Sequence, residues 1–166
     1  MNAAGITLAG LTAALVVLYA NLSHWWKGKR EGKQLAPLGK GAAGGLVAAV
    51  CPGGILGWVT AHTGKAANTG GAGLAHGATG VQTSAPISHG TLDGLTAPGA
   101  VIVVLIAAAV VIAWRGAEKR DRWRILGGAF VMIMFCLTAG GAGALDWVPN
   151  ALNGVGDQIK NSVGSA

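Results

Sequence analysis

Charged side chains are scarce in this chain, at 11% of residues, against about a quarter in soluble domains. A water-soluble fold needs more charged surface than that, so the composition argues against an ordinary soluble domain. Acidic residues number six against twelve Lys and Arg, and the long apolar runs hold no Asp, Glu, Lys or Arg, with His62 and Asp146 only at their outer boundaries. Membrane enzymes and proton pumps place such groups within their spans, so the pattern points away from catalysis. Cysteine is limited to Cys51 and Cys136, both inside apolar runs, which implies no disulfide framework. A thiol in hydrocarbon is poorly ionised and packs as a small apolar residue, and neither cysteine has the juxtamembrane position that palmitoylation needs. His76, His89 and Asp93 are thirteen and four residues apart, a spacing that fits no compact zinc pattern. The glycine-rich stretches also lack the Gly-Lys-Ser/Thr ending of a phosphate loop. No catalytic residue, cofactor or metal is expected.

What the sequence does have is apolar length. Hydrophobic residues are 52% of the chain, and four stretches carry no charged residue: 3–22, 41–62, 97–114 and 125–145. Each is close to the ~20 residues a helix needs to cross a bilayer. Alternating barrel-strand patterning is absent, and backbone amides in lipid must bond internally, so helices are expected. Pro52, at the centre of the second stretch, should kink or locally open its helix. Of the twelve basic residues, five lie in residues 23–40 (Lys27, Lys29, Arg30, Lys33, Lys40) and five in residues 115–124 (Arg115, Lys119, Arg120, Arg122, Arg124). The excess of positive charge on cytoplasmic loops places both there. The expected fold is therefore an all-α membrane protein of four transmembrane helices with both termini outside, in the cell membrane. Tryptophan agrees: Trp25, Trp26, Trp114 and Trp123 flank the cytoplasmic ends, and Trp58 and Trp147 the outer ends. Because no Lys or Arg precedes Lys27, the first stretch lacks the charged start of a signal peptide and should be retained; cleavage after Ala20 is the alternative.

Residues 63–96 are rich in Gly, Ala, Ser and Thr and read as a flexible outer loop. In the tail, residues 146–166, Val148, Leu152, Val155, Ile159 and Val163 recur at spacings of four, three, four and four. That periodicity predicts an amphipathic helix lying on the outer leaflet or against a partner. Small residues form rows suited to close helix packing: Gly5, Ala9 and Ala13, then Gly41 and Gly45, Gly53 and Gly57, and the cluster at 139–144 that holds Gly140 and Gly141. Packing within one chain or between copies of it would use them, so a homo-oligomer is an expected state. A pore would have to be lined by backbone or by groups such as Thr7, Thr12 and Thr138. The basic loops suit anionic lipid heads. Direct contact with nucleic acid has weaker support, since no base-reading element accompanies the charge. A span, a basic loop and a small-residue span occur twice: Trp26-Lys27-Gly28 parallels Trp114-Arg115-Gly116, and Gly44-Gly45 before Cys51 parallels Gly127-Gly128 before Cys136.

With its Ala/Gly-rich spans, the Ser23-His24-Trp25-Trp26-Lys27 junction, the Cys51-Pro52-Gly53-Gly54 segment and the glycine-rich outer loop, the chain resembles the small multi-span spread proteins of actinobacterial conjugative plasmids and integrative elements. The resemblance implies a non-enzymatic membrane component that oligomerises, as a pore in one version, and assists a DNA translocase in moving plasmid DNA. It carries over no functional residue. A phage holin is the alternative from another class, and a structural accessory subunit of a membrane complex is the third.

Overall fold

The computed structural model describes residues 6–27, 32–82, 85–92 and 94–164. Gly5, Lys29, Arg30 and Asp93, each singled out above, lie outside the described residues. The fold is all-helical: α1 (Leu8–Lys27), α2 (Ala36–Val50), α3 (Gly54–Thr79), α4 (Ala97–Gly116), α5 (Lys119–Cys136), the short α6 (Ala139–Ala144) and α7 (Trp147–Gly164). By length and hydropathy α1 and α4 could each cross a membrane, and a third crossing is available if α2 and α3 count as one bent span.

Two of the four expected spans are broken, one of them at the expected place, and each break has a local cause. At residues 41–62 the anticipated kink is a turn of 105° between α2 and α3. Pro52 has no N–H to continue the α2 ladder and disfavours helical geometry in Cys51 before it. Cys51 accordingly sits at φ −79°, ψ 120°. At residues 125–145, α5 stops at Cys136 and Thr138 starts a new helix, its hydroxyl accepting from Gly141 N–H at 3.0 Å. Residues 88–90 dock at this break: Ala139 N–H donates to Ser88 C=O at 3.1 Å and Gly90 N–H to Leu137 C=O at 3.0 Å. The backbone groups freed by the break are thus bonded by protein.

The flexible outer loop expected over 63–96 is corrected in both halves. Its first half is helix, since α3 runs on to Thr79 and ends on Gly80, whose φ of 71° and N–H bond to His76 C=O close it. Glycine weakens an isolated helix, but Gly64 and Gly71 are buried where α3 crosses its neighbours, so packing overrides propensity. In the second half, residues 85–92 form a strap against the bundle. Leu8 N–H donates to Ala85 C=O and Ile87 N–H to Ile6 C=O, both at 3.0 Å, while Leu92 is 3% exposed in the core.

The two halves repeat one arrangement. The α2 and α5 helices run side by side in the same direction, Gly41 against Ile125 and Gly45 against Ala129, and Gly128 in turn meets Leu38 and Ala42. On the flanks, α1 packs on α5 where Gly127 faces Asn21 and Val17, and α4 packs on α2 where Gly44 faces Val110. At the opposite end from the basic loops, Thr7 before α1 donates its N–H and hydroxyl to Asn68 Oδ1 of α3, at 2.9 and 3.0 Å. Thr96 before α4 does the same to Asn153 Oδ1 of α7, again at 2.9 and 3.0 Å. Three residues on from each Asn, Gly71 lies against the Ala9 and Gly10 backbone and Gly156 against Pro98 and Gly99. So α3 and α7 are equivalent helices laid over the first turns of α1 and α4. Two cores result, one around Ile6, Ala14, Ala67 and Met134, the other around Val50, Leu92, Cys136 and Val148.

Candidate functional site

The basic loops come together at one end of the bundle. Arg124, on the first turns of α5, donates from Nη1 to Gln34 C=O at 2.9 Å and ties the second loop to the first. Arg122 folds back on α4, donating from Nε to Ala117 C=O and from Nη2 to Arg115 C=O, both at 2.9 Å. It thereby satisfies carbonyls that a helix end leaves open, and its guanidinium lies 5.7 Å from the centre of the Trp114 ring, within cation–π range. Asp121 in the first turn of α5 suits the positive end of that helix.

Among the described residues, four of the cations line one open pocket of about 480 Å³: Lys27 and Lys33 from the first loop, Arg120 and Arg124 from the second, with Glu118 and Asp121 also in its lining. Arg115 and Lys119 are exposed outside it. Beside it on α1, a crevice of about 410 Å³ is lined by Tyr19, Leu22, Ser23, Trp26 and again Lys27. Trp25 stands edge-on to Trp26 with ring centres 6.1 Å apart, and its indole nitrogen is buried without an acceptor among the described residues.

At the other end, the α2–α3 turn and the strap enclose a half-open cavity of about 810 Å³. Cys51 and Cys136 both reach its wall, as do Trp58, His62 and Lys65. The Cys51 thiol donates to Val47 C=O at 3.2 Å, while the His62 ring stacks on Trp58 at 3.9 Å and bonds Trp58 C=O through Nδ1 at 2.9 Å. Both cysteines are free, and among the described residues no group of three His, Cys, Asp or Glu side chains could hold a metal ion.

The small-residue rows separate into two kinds. A Cβ on Gly41 or Gly45 would run into the α5 backbone, whereas Gly53 and Gly140 face open space, and Gly57 and Gly141 meet only their own preceding turns at Pro52 and Phe135. In α7, Val148 is buried and Leu152 half-buried, but Val155, Ile159 and Val163 are exposed. Only the first part of the apolar stripe is used within the chain. The Thr–Asn clasps were not among the expected features, yet the sequence carries a signal for them. Thr7-Leu8-Ala9-Gly10 parallels Thr96-Ala97-Pro98-Gly99, and Asn68-Thr69-Gly70-Gly71 parallels Asn153-Gly154-Val155-Gly156.

Comparisons with protein-family models, with curated proteins and with solved structures find no match to this chain.

Proposed function

We propose that this is a non-enzymatic four-span protein of the cell membrane, both termini outside, that associates with further copies and serves DNA transfer by a mobile element as a membrane accessory. The observation that carries the proposal is the polarity of the bundle. Both basic loops meet at one end, and α3 and α7 cover the starts of α1 and α4 at the other. Under this reading α1 and α4 cross the membrane as whole helices, and residues 41–62 and 125–145 cross as broken spans, with the basic end in the cytoplasm. The break at Thr138 is bonded by the strap at residues 88–90, as irregular backbone at membrane depth requires, whereas the exposed turn at Pro52 belongs at the outer boundary.

Backbone contact between α2 and α5 leaves no passage between them within one chain, so a pore would form between copies. The exposed faces of α1 and α4 offer surface for lipid or for association, with Leu15, Val16 and Tyr19 on one and Val104, Leu105 and Ile112 on the other. The basic end would face a DNA translocase or the phosphates it handles. The test is loss of the gene from its mobile element. Transfer should fall sharply with donor growth unchanged and return on complementation. Controlled expression should leave cells impermeable to a membrane-excluded dye; abrupt dye entry and cell death would replace the transfer role with a holin-type one.

A further inference from the structure

We infer that the basic end binds one anionic phospholipid of the adjoining leaflet, head in the pocket between the loops and an acyl chain along α1. Two cavities that meet at Lys27 carry this. The head pocket takes Lys27 and Lys33 from one loop and Arg120 and Arg124 from the other, so its charge is assembled only when the two halves pack together. Among the described lining residues, cations outnumber carboxylates four to two, which favours a phosphate anion. Glu118 and Asp121 can accept from hydroxyls, which selects a hydroxyl-bearing head such as phosphoglycerol over a choline head.

The neighbouring crevice supplies the place for a chain. Tyr19, Leu22 and Trp26 line it and are 74%, 37% and 63% exposed. A second crevice, of about 240 Å³, lies further along α1, where Leu11, Leu15 and Leu18 face Val131 and Phe135 of α5. From Leu11 to Leu22 a helix rises roughly 16 Å, about the depth of one leaflet in a ~30 Å hydrocarbon core. Charge at one end and a leaflet-long apolar track at the other match a lipid and would be wasted on a free phosphate. DNA would satisfy the cations and leave the track empty.

The inference rests on the membrane reading above, and the experiment separates the two. The full chain, purified in a neutral detergent, is offered equal amounts of dioleoyl phosphatidylglycerol and dioleoyl phosphatidylcholine, and retained lipid is counted by native mass spectrometry. Phosphatidylglycerol should be preferred about tenfold or more, given the gain expected per cation. Lys33→Gln with Arg120→Gln, both exposed positions, should abolish most of that preference, and Lys65→Gln with Lys160→Gln should leave it intact. Ser23→Trp, filling the crevice, should lower retention of the dioleoyl lipid but not of dihexanoyl phosphatidylglycerol. Equal retention of the two head groups, or a preference untouched by the Lys33/Arg120 pair, overturns the site. So does displacement of the lipid by a short DNA duplex acting through those same two residues. Resistance of the protein to alkaline carbonate extraction from membranes is scored alongside. If it resists and the preference is absent, only the lipid site fails; if it is extracted, both readings fail.

Discussion

Replacing Gly45 with Val should unseat the central α2–α5 contact, and the structure fixes the sign against a competing gain. A helix-interior glycine replaced by Ala gains roughly 0.8–1 kcal/mol of propensity, and somewhat less when replaced by Val. At Gly45, however, the new Cβ would lie 3.0 Å from Ala129 Cα and would overlap the Ala129 carbonyl oxygen. Both obstacles are backbone, so no rotamer change relieves them. Overpacking against yielding side chains costs about 1–3 kcal/mol; here the cost should sit at or above the top of that range, and the substitution is destabilising by about 2 kcal/mol or more. Gly73→Ala is the matched comparison. It is also helical, and its Cβ would find nothing within 4 Å, so it should be neutral or stabilising by up to about 1 kcal/mol. Thermal unfolding in a fixed detergent, followed by tryptophan emission, compares the two against the parent protein. If Gly45→Val unfolds at the parent temperature, α2 and α5 do not touch backbone to backbone and the pairing described here is wrong.

Other outcomes follow from separate parts of the molecule. In a background with Cys51→Ala and Cys136→Ala, Lys33→Cys and Lys119→Cys should resist an impermeant thiol reagent in intact cells while Ala75→Cys and Asn161→Cys react; labelling at Lys33 would reverse the orientation. Asn153→Ala removes bonds to Thr96 N–H, the Thr96 hydroxyl and Gly94 C=O, each worth about 0.5–1.5 kcal/mol net and less where exposed, so α7 should be cut by protease faster in right-side-out vesicles. Unchanged digestion would mean the clasp does not hold α7. Leu152→Asp should release the same helix from the bundle, whereas Ile159→Asp, at a position 47% exposed, should leave detergent-solubilised protein as stable as the parent; destabilisation by Ile159→Asp there would show the overhang to be packed. Gly140→Leu should be tolerated in the isolated chain because nothing lies within 4 Å of its Cβ, and a large fall in unfolding temperature would contradict that open space.

The helical class follows from the apolar composition and the absence of alternating patterning, and several element ends are equally local. The residues around Pro52 predict a break because proline's missing N–H acts within its own chain segment. The tail predicts a helix because one periodic stripe from Val148 to Val163 suffices to define its face, and α7 covers that stretch. For the candidate site, the sequence could name the cations but not their grouping. That Lys27 and Lys33 share a pocket with Arg120 and Arg124, and that Arg122 instead turns back on α4, depends on how the two halves dock. Tertiary structure also decided the fate of the glycines. Gly45 and Gly53 are indistinguishable as residue types, yet one meets a backbone carbonyl and the other open space. Likewise Gly64 and Gly71 read as loop formers, and α3 persists through them because it crosses other elements there. Helix propensity and periodicity act over a few neighbouring residues, whereas these contacts join positions tens of residues apart, and only the packed chain brings them within reach.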